Sequence, residues 1–235
     1  MGEHTVTSFD EELNRIDQLL CEMGDLAGAM TQSATKALIS SDNGLAQRVI
    51  SDDAIMDAKQ RELDERAITL IAKRQPMAQD LRAVVGAIRM AGDLERIGDL
   101  AKNVAKRVGA VGDSATPRSL AHSIDAMAQL VIVQVKSVID QYVARQSEGL
   151  TSLRDEDEKI DIQYTSVFRE LLTYMMEDPR NITACTHLLF CAKNLERIGD
   201  HVTNIAENAY YVMTGEQLPV QRPKLDETQM TVSAE

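Results

Sequence analysis

Leu94-Glu95-Arg96-Ile97-Gly98-Asp99 and Leu195-Glu196-Arg197-Ile198-Gly199-Asp200 are the same six residues written twice, 101 positions apart in a chain of 235. In each copy Glu and Asp stand four apart, which on a helix puts both carboxylates on one face. Like charges stacked that way cost a helix roughly 0.2–0.5 kcal/mol. A chain that carries the pair in both halves points to a use for the negative charge, a bound cation foremost.

The repetition extends outward. Leu100-Ala-Lys-Asn103-Val-Ala105 follows the first copy, and His201-Val-Thr-Asn204-Ile-Ala206 follows the second. Upstream, Pro76 matches Pro179 with a two-residue slip, and Asp53-Ala-Ile-Met-Asp57 matches Asp157-Glu-Lys-Ile-Asp161. Agreement in residue type, spacing and order is the mark of a duplicated unit.

Hydrophobic periodicity predicts six helices in two sets of three. The first spans about Phe9 to Ile39, where Phe9, Leu13, Ile16, Leu20, Met23, Ala27 and Met30 alternate spacings of four and three as an a/d seam does. Ser8 and Glu11 suggest a capping box at its start. Ser41-Asp42-Asn43-Gly44 breaks the chain, and a second helix follows from Leu45 to Arg74, with Leu45, Val49, Met56, Leu63, Ala67 and Leu70 toward the core. Gln75-Pro76 marks the next boundary. The third helix extends to about Val108 through Leu81, Val84, Ile88, Ala91, Gly98, Ala101 and Ala105. In the second half, Thr116-Pro117 reads as an N-cap followed by Pro at the first helical position, Ser147 as the cap of the fifth helix, and Asp178-Pro179 as the opening of the sixth.

The domain reading is therefore 1–110 for the first three-helix repeat, 111–116 for the linker, 117–215 for the second repeat and 216–235 for a polar tail. Helices of this length span about 45 Å, and short connections make neighbours antiparallel. The fold class is all-α: two tandem antiparallel three-helix bundles, end to end or side by side, with one long six-helix bundle as the alternative.

Composition agrees. Hydrophobic residues make up 44 % of the chain while aromatics are 3 % with no Trp, so the core must come from Leu, Ile, Val, Met and Ala, which suits helix packing. A net charge of −12 argues against a nucleic-acid surface. The dispersed basic residues form no polybasic membrane anchor. No run approaches the ~18 apolar residues of a membrane span, and no signal-peptide core is visible, so a cytoplasmic protein is expected. Cys21, Cys185 and Cys191 are odd in number and lack a CxxC spacing, which fits reduced thiols better than disulfides or zinc.

In a three-helix bundle the middle and last helices are adjacent. Asp53 and Asp57 can then face Glu95 and Asp99, and Asp157 and Asp161 can face Glu196 and Asp200. Each set offers four carboxylates and no sulfur, the donor type of hard cations such as Mg²⁺, Mn²⁺, Ca²⁺ or iron. Asn103 and Asn204 lie one turn further along and could add carbonyl oxygen. The structural reading of the same residues is a salt-bridge network through Arg96 and Arg197. His201 could ligate, but its counterpart is Leu100. His4, His122 and His187 form no constellation. Gly98 and Gly199 each cost about 1 kcal/mol against Ala inside a helix, for which close packing is the simplest reason. The chain has no Gly-rich phosphate loop, no nucleophile with a placed base and no Glu-x-x-His of the di-iron bundles.

Arg74-Gln-Pro76-Met-Ala-Gln-Asp80-Leu-Arg82, Asp93-Leu-Glu-Arg-Ile-Gly-Asp99 and Asn194-Leu-Glu-Arg-Ile-Gly-Asp-His-Val-Thr-Asn-Ile-Ala-Glu207 resemble the PhoU family, accessory regulators of the Pst phosphate transporter. The resemblance covers nearly the whole chain, from the Phe9 region to about Tyr211, and implies a duplicated domain of two three-helix bundles. It implies metal (Mg, Mn or Fe) at Glu95/Asp99 and Glu196/Asp200, partnered by Asp53/Asp57 and Asp157/Asp161. It also implies repression of the phosphate-starvation response through the Pst transporter ATPase and a PhoR-type sensor histidine kinase. A homodimer is expected, touching the membrane only through its partners. Glu207 stands where the first half has Lys106, so the second half, with Asn204 and Glu207 nearby, is the better fit for metal. Three readings follow: a non-enzymatic signalling adaptor, a metal-dependent phosphohydrolase, or a helical scaffold with vacant acidic faces.

Overall fold

The structure is a computed structural model that describes residues 2–111 and 118–218; the side chains of 2–8, 118, 119 and 155 are left out of the description. Six long helices and one short one account for nearly all of it. They are α1 (Gly2–Ser40), α2 (Asn43–Arg74), α3 (Gln79–Ala105), α4 (Val108–Val111), α5 (Arg118–Val143), α6 (Ser147–Glu177) and α7 (Ile182–Thr214), with a 3-10 turn at Pro179–Asn181.

The boundaries follow local chemistry. Asp42 caps α2 by accepting a hydrogen bond from the Leu45 amide at 2.8 Å, and Gln75 ends it in the left-handed conformation at φ 48°. A second positive-φ residue, Ala78 at φ 50° and ψ −111°, precedes α3, which starts at Gln79. It ends at Ala105, and the chain turns before Val108–Val111, short of the single helix expected to Val108. Val111, assigned to the linker, is buried at the end of α4. Thr116-Pro117 and residues 219–235 of the tail lie outside the described residues.

Two expected caps do not form. Nothing between Glu3 and Thr7 breaks a helix, so α1 already runs from Gly2, and Ser8 and Glu11 lie inside it. Ser147 is the first residue of α6; Gln146 occupies the cap position in an extended conformation without a side-chain bond. Asp178 does cap, accepting from the Arg180 amide at 3.0 Å.

Cross-helix bonds fix the directions. Arg66 reaches Glu12, Arg15 reaches Glu62 and Lys59 reaches Glu22, so α1 and α2 run antiparallel. The halves meet side by side. Packing of α3 on α7 and of α1 on α5 makes one continuous core, while α2 and α6 lie on the flanks. The α1 seam is buried from Ile16 to Met30, and Val49, Met56, Leu63, Ala67 and Leu70 of α2 join it. Leu81, expected in the core, sits in the first turn of α3 and is exposed. Among the described residues no helix is long and apolar enough to cross a membrane.

Small residues set how closely the halves approach. A Cβ on Gly86 of α3 would collide with Val212 of α7, whereas a Cβ on Gly28 of α1 would meet nothing within 4 Å. The two glycines should therefore respond oppositely to alanine. Gly28→Ala should raise stability by up to about 1 kcal/mol through helix propensity, and Gly86→Ala should lower it by about 1–3 kcal/mol through overpacking. Urea unfolding of both variants measures this, and a shared sign would contradict the packing described.

Candidate metal centre

Each flanking helix presents its acidic pair to the last helix of its own half. Antiparallel packing brings Asp53 opposite Asp99 and Asp57 opposite Glu95 in the first half. In the second it brings Asp161 toward Glu196 and Asp157 against Gly199. The glycine of each motif lies under a flanking-helix side chain: a Cβ at Gly98 would stand 3.3 Å from Met56 Cγ, and one at Gly199 would stand 2.7 Å from Asp157 Oδ1 and 3.0 Å from Ile160 Cδ1. Met56 and Ile160 hold equivalent places in the duplication. Close packing is thus the reason for Gly98, and at Gly199 the space is shared with a carboxylate.

The first half is closed by a residue that the sequence reading passed over. Lys102 Nζ donates to Asp53 Oδ2 and to Asp99 Oδ1, each at 2.6 Å, and so ties α2 to α3. Burial works against the Lys102 ammonium, but the hydrogen bonds it donates to both carboxylates outweigh it and hold its pKa above the usual range. Burial likewise pushes Asp99 upward, and the bond and charge of Lys102 more than reverse this. Glu95 receives no bond from Lys102 and instead shares a hydrogen bond with Asp99. Burial and then the Asp99 charge raise its carboxyl above the usual range, with Asp57 adding to the effect. Arg96, largely exposed, approaches Glu95 at 3.7 Å and Asp99 at 3.9 Å, too far for a strong pair.

The second half is arranged differently. Asp157, Asp161 and Glu196 are all buried. Thr203 takes the place of Lys102. Lys193, three residues before Glu196, donates to Glu196 Oε1 at 2.8 Å and lies over the Tyr164 ring. Glu196 Oε2 is buried with no hydrogen-bond partner. Burial first, and then the charges of Asp200 and Asp161, push the Glu196 carboxyl up against the opposing pull of Lys193.

Asn204 faces elsewhere. Its Nδ2 donates to Asp93 Oδ1 of α3 at 3.3 Å, and His201 Nδ1 meets the same oxygen at 2.9 Å. These residues join the halves. Asn103, Lys106 and Glu207 are exposed. His187 bonds Arg107 at 3.1 Å, another link between the halves. Cys185 and Cys191 are buried free thiols and Cys21 is half-buried; burial raises the Cys191 thiol to about 12.

Among the described residues no group of three or more His, Cys, Asp and Glu side chains is gathered into a preformed cation cage. The second-half residues nonetheless fit a hard cation in chemistry. They are oxygen donors from two helices, one of them a buried carboxylate oxygen without a partner, beside a helix position that has no Cβ.

Comparison with known proteins agrees with the duplicated helical fold. The PhoU domain matches residues 20–108 and 124–209, one domain per half. The chain is 58 % identical over 225 residues to the phosphate-specific transport system accessory protein PhoU homolog of Rhizobium meliloti, covering 96 % of this chain and 95 % of that one. It is 46 % identical to the homolog of the same name in Caulobacter vibrioides, covering 96 % and 98 %. The crystal structure of PhoU from Pseudomonas aeruginosa superposes with a TM-score of 0.84 at 35 % identity, covering 88 % of this chain and all of that one. That of the phosphate transport system regulatory protein PhoU from Streptococcus pneumoniae gives 0.83 at 27 %, covering 90 % and 100 %. The chain belongs to the PhoU family of non-enzymatic accessory proteins.

The buried Glu196 carboxyl gives the metal-free protein a pH signature. Its folded pKa lies above the unfolded value of about 4.3, so its contribution to stability is full below that value and is lost as pH rises through the folded pKa. In chelator-treated protein, Glu196→Gln should raise stability at pH 7–8 by about 1 kcal/mol and change it little at pH 4. Thermal melts across pH 4–8 report this; an equal shift at all pH values would count against a strained carboxylate.

Proposed function

We propose that this PhoU-family chain is an accessory regulator of phosphate-specific transport. In this reading it acts in the cytoplasm as a non-enzymatic adaptor between the Pst transporter ATPase and a PhoR-type sensor histidine kinase, and keeps the phosphate-starvation response repressed while phosphate is plentiful. The observation that carries the reading is the near end-to-end match to accessory proteins of phosphate-specific transport, 96 % of this chain against 95–98 % of theirs. A phosphate transport system regulatory protein of the same fold supports the regulatory part. The acidic surface fits a protein-binding role better than a nucleic-acid one. A homodimer would present two copies of each face.

Metal enters the reading as a brace for the acidic helix faces. Glu196, Asp200, Asp157 and Asp161 would hold Mg, Mn or Fe in the second half, and Glu95, Asp99, Asp53 and Asp57 are the corresponding first-half set. A cation bound there would supply positive charge between the acidic faces of α6 and α7. The chain's own part is to hold those oxygens on two helices, with Gly199 leaving room beside Asp157.

Deletion of the coding sequence in its source cell tests the regulatory role. Phosphate-response genes should be expressed at high phosphate in the deletion strain and return to repression on complementation. Genes that stay repressed in the deletion strain would overturn the reading. Pull-down of tagged protein should recover both the transporter ATPase and the kinase, and the Glu196→Gln variant reports whether the acidic face matters for that contact.

A further inference from the structure

We infer that Arg107 forms an oxyanion site where the two halves meet, and that its ligand is inorganic phosphate. Arg107 lies in the turn between α3 and α4. Its amide donates to the Val104 carbonyl at 3.0 Å, and its own carbonyl accepts from the Val111 amide at 2.9 Å, so its backbone is fixed. The side chain crosses to α7. Arg107 Nη1 meets His187 Nδ1 at 3.1 Å, and Cζ stands 4.4 Å from the centre of the Phe190 ring. A guanidinium only donates, so His187 Nδ1 accepts and the imidazole is neutral in this arrangement. Among the described residues no carboxylate pairs with Arg107, and its Nε is buried without a hydrogen bond.

A half-buried cation without a counter-ion is costly. An anion from solution would relieve that cost. Overall charge does not gather anions here, because the chain carries −12, so the attraction must be local. Lys106, exposed and next in the chain, adds a second positive charge. The guanidinium offers parallel N–H donors that match two oxygens of a phosphate, and the Phe190 face and His187 hold that planar fork in place. The site is single. At the duplicated positions Asn208 stands for Arg107 and Gly86 for His187. Asn208 bonds the Asn204 carbonyl of its own helix, and Val212 lies where a Cβ on Gly86 would be. Arg82 lies over Tyr211 at 5.9 Å, but no imidazole bonds it among the described residues. The oxyanion site stands on geometry. The choice of phosphate among oxyanions rests on the phosphate-transport reading proposed above.

The test titrates the full chain with inorganic phosphate and, in a separate arm, with AMP, by calorimetry and by thermal melts at constant ionic strength. Wild type should bind one phosphate per chain, and its melting temperature should rise with phosphate concentration as mass action requires. Sodium chloride at the same ionic strength should not reproduce that rise. Arg107→Gln should weaken binding about tenfold or more, and Arg82→Gln should leave it unchanged. Arg107→Lys keeps the charge and loses the fork, so it should also weaken binding, and it serves should the glutamine variant fail to fold. His187→Leu should weaken binding, while His187→Gln, which keeps an acceptor for Arg107, should restore much of it. A general loss of stability would not give that rescue. Binding of phosphate, with or without AMP, supports the inference; binding of AMP alone would overturn the assignment to free phosphate. No saturable binding to wild type, undiminished binding by folded Arg107→Gln or Arg107→Lys, or equal losses in Arg82→Gln and Arg107→Gln would overturn it. A deletion strain that stays repressed would overturn the regulatory reading and leave this binding result untouched.

Discussion

Carboxylates facing one another across a pair of packed helices must be neutralised, and most of the structure around them serves that need. Burial makes the repulsion worse because less water screens it. The first half answers with Lys102, which bonds Asp53 on α2 and Asp99 on α3 at once. The bond pair also fixes the separation of those helices. Met56 can then lie against Gly98, in the space where another residue would carry a Cβ. In the second half the same backbone arrangement persists, with Ile160 against Gly199, and Lys193 of α7 donates to Glu196.

The halves are joined through the helices that carry the motifs. Asp93 lies two residues before Glu95 and receives both His201 and Asn204, which follow Asp200 within about one turn of α7. Farther along the same antiparallel pair, Arg107 bonds His187 and lies over the Phe190 ring, and Arg82 lies over Tyr211. The α1–α5 contact adds Tyr142, whose hydroxyl donates to Asp17 at 2.6 Å, with Arg145 on the other oxygen of the same carboxylate. A change in how α7 sits on α6 at Glu196 therefore meets, within about a turn, contacts that reach into α3.

The helices and their pairing were legible from the sequence because both rest on local signals. The four-three seam of α1 and the paired acids at matching spacings in both halves survive any rearrangement of tertiary detail. The ends were harder. The Ser8–Glu11 box has the right residues for a cap, yet no breaker precedes it, so the helix runs on to Gly2. At the site, the sequence pointed to an inequality between halves through Lys106 and Glu207, but both are exposed. The residue that makes the difference is Lys102, three positions after Asp99, with Thr203 as its counterpart. That contrast was visible in the aligned repeats. Only side-chain placement shows that it, and not the one four residues on, lies among the acids. Asn204 has a contact that spacing alone does not announce: α7 touches α3 as well as α6, and the Asn204 amide donates to Asp93.

Two ways of neutralising equivalent acids behave differently. A lysine is tethered to the chain, so its local concentration is fixed and the brace it makes is present whenever the chain is folded. A metal ion stabilises the folded state by mass action, as RT ln(1 + [L]/Kd), and its effect varies with what the solution holds. Lys102 thus braces α2 against α3 in the first half, whereas Glu196 keeps one buried oxygen without a hydrogen bond. One difference between the repeats, Lys102 against Thr203, thus changes how equivalent acids are neutralised.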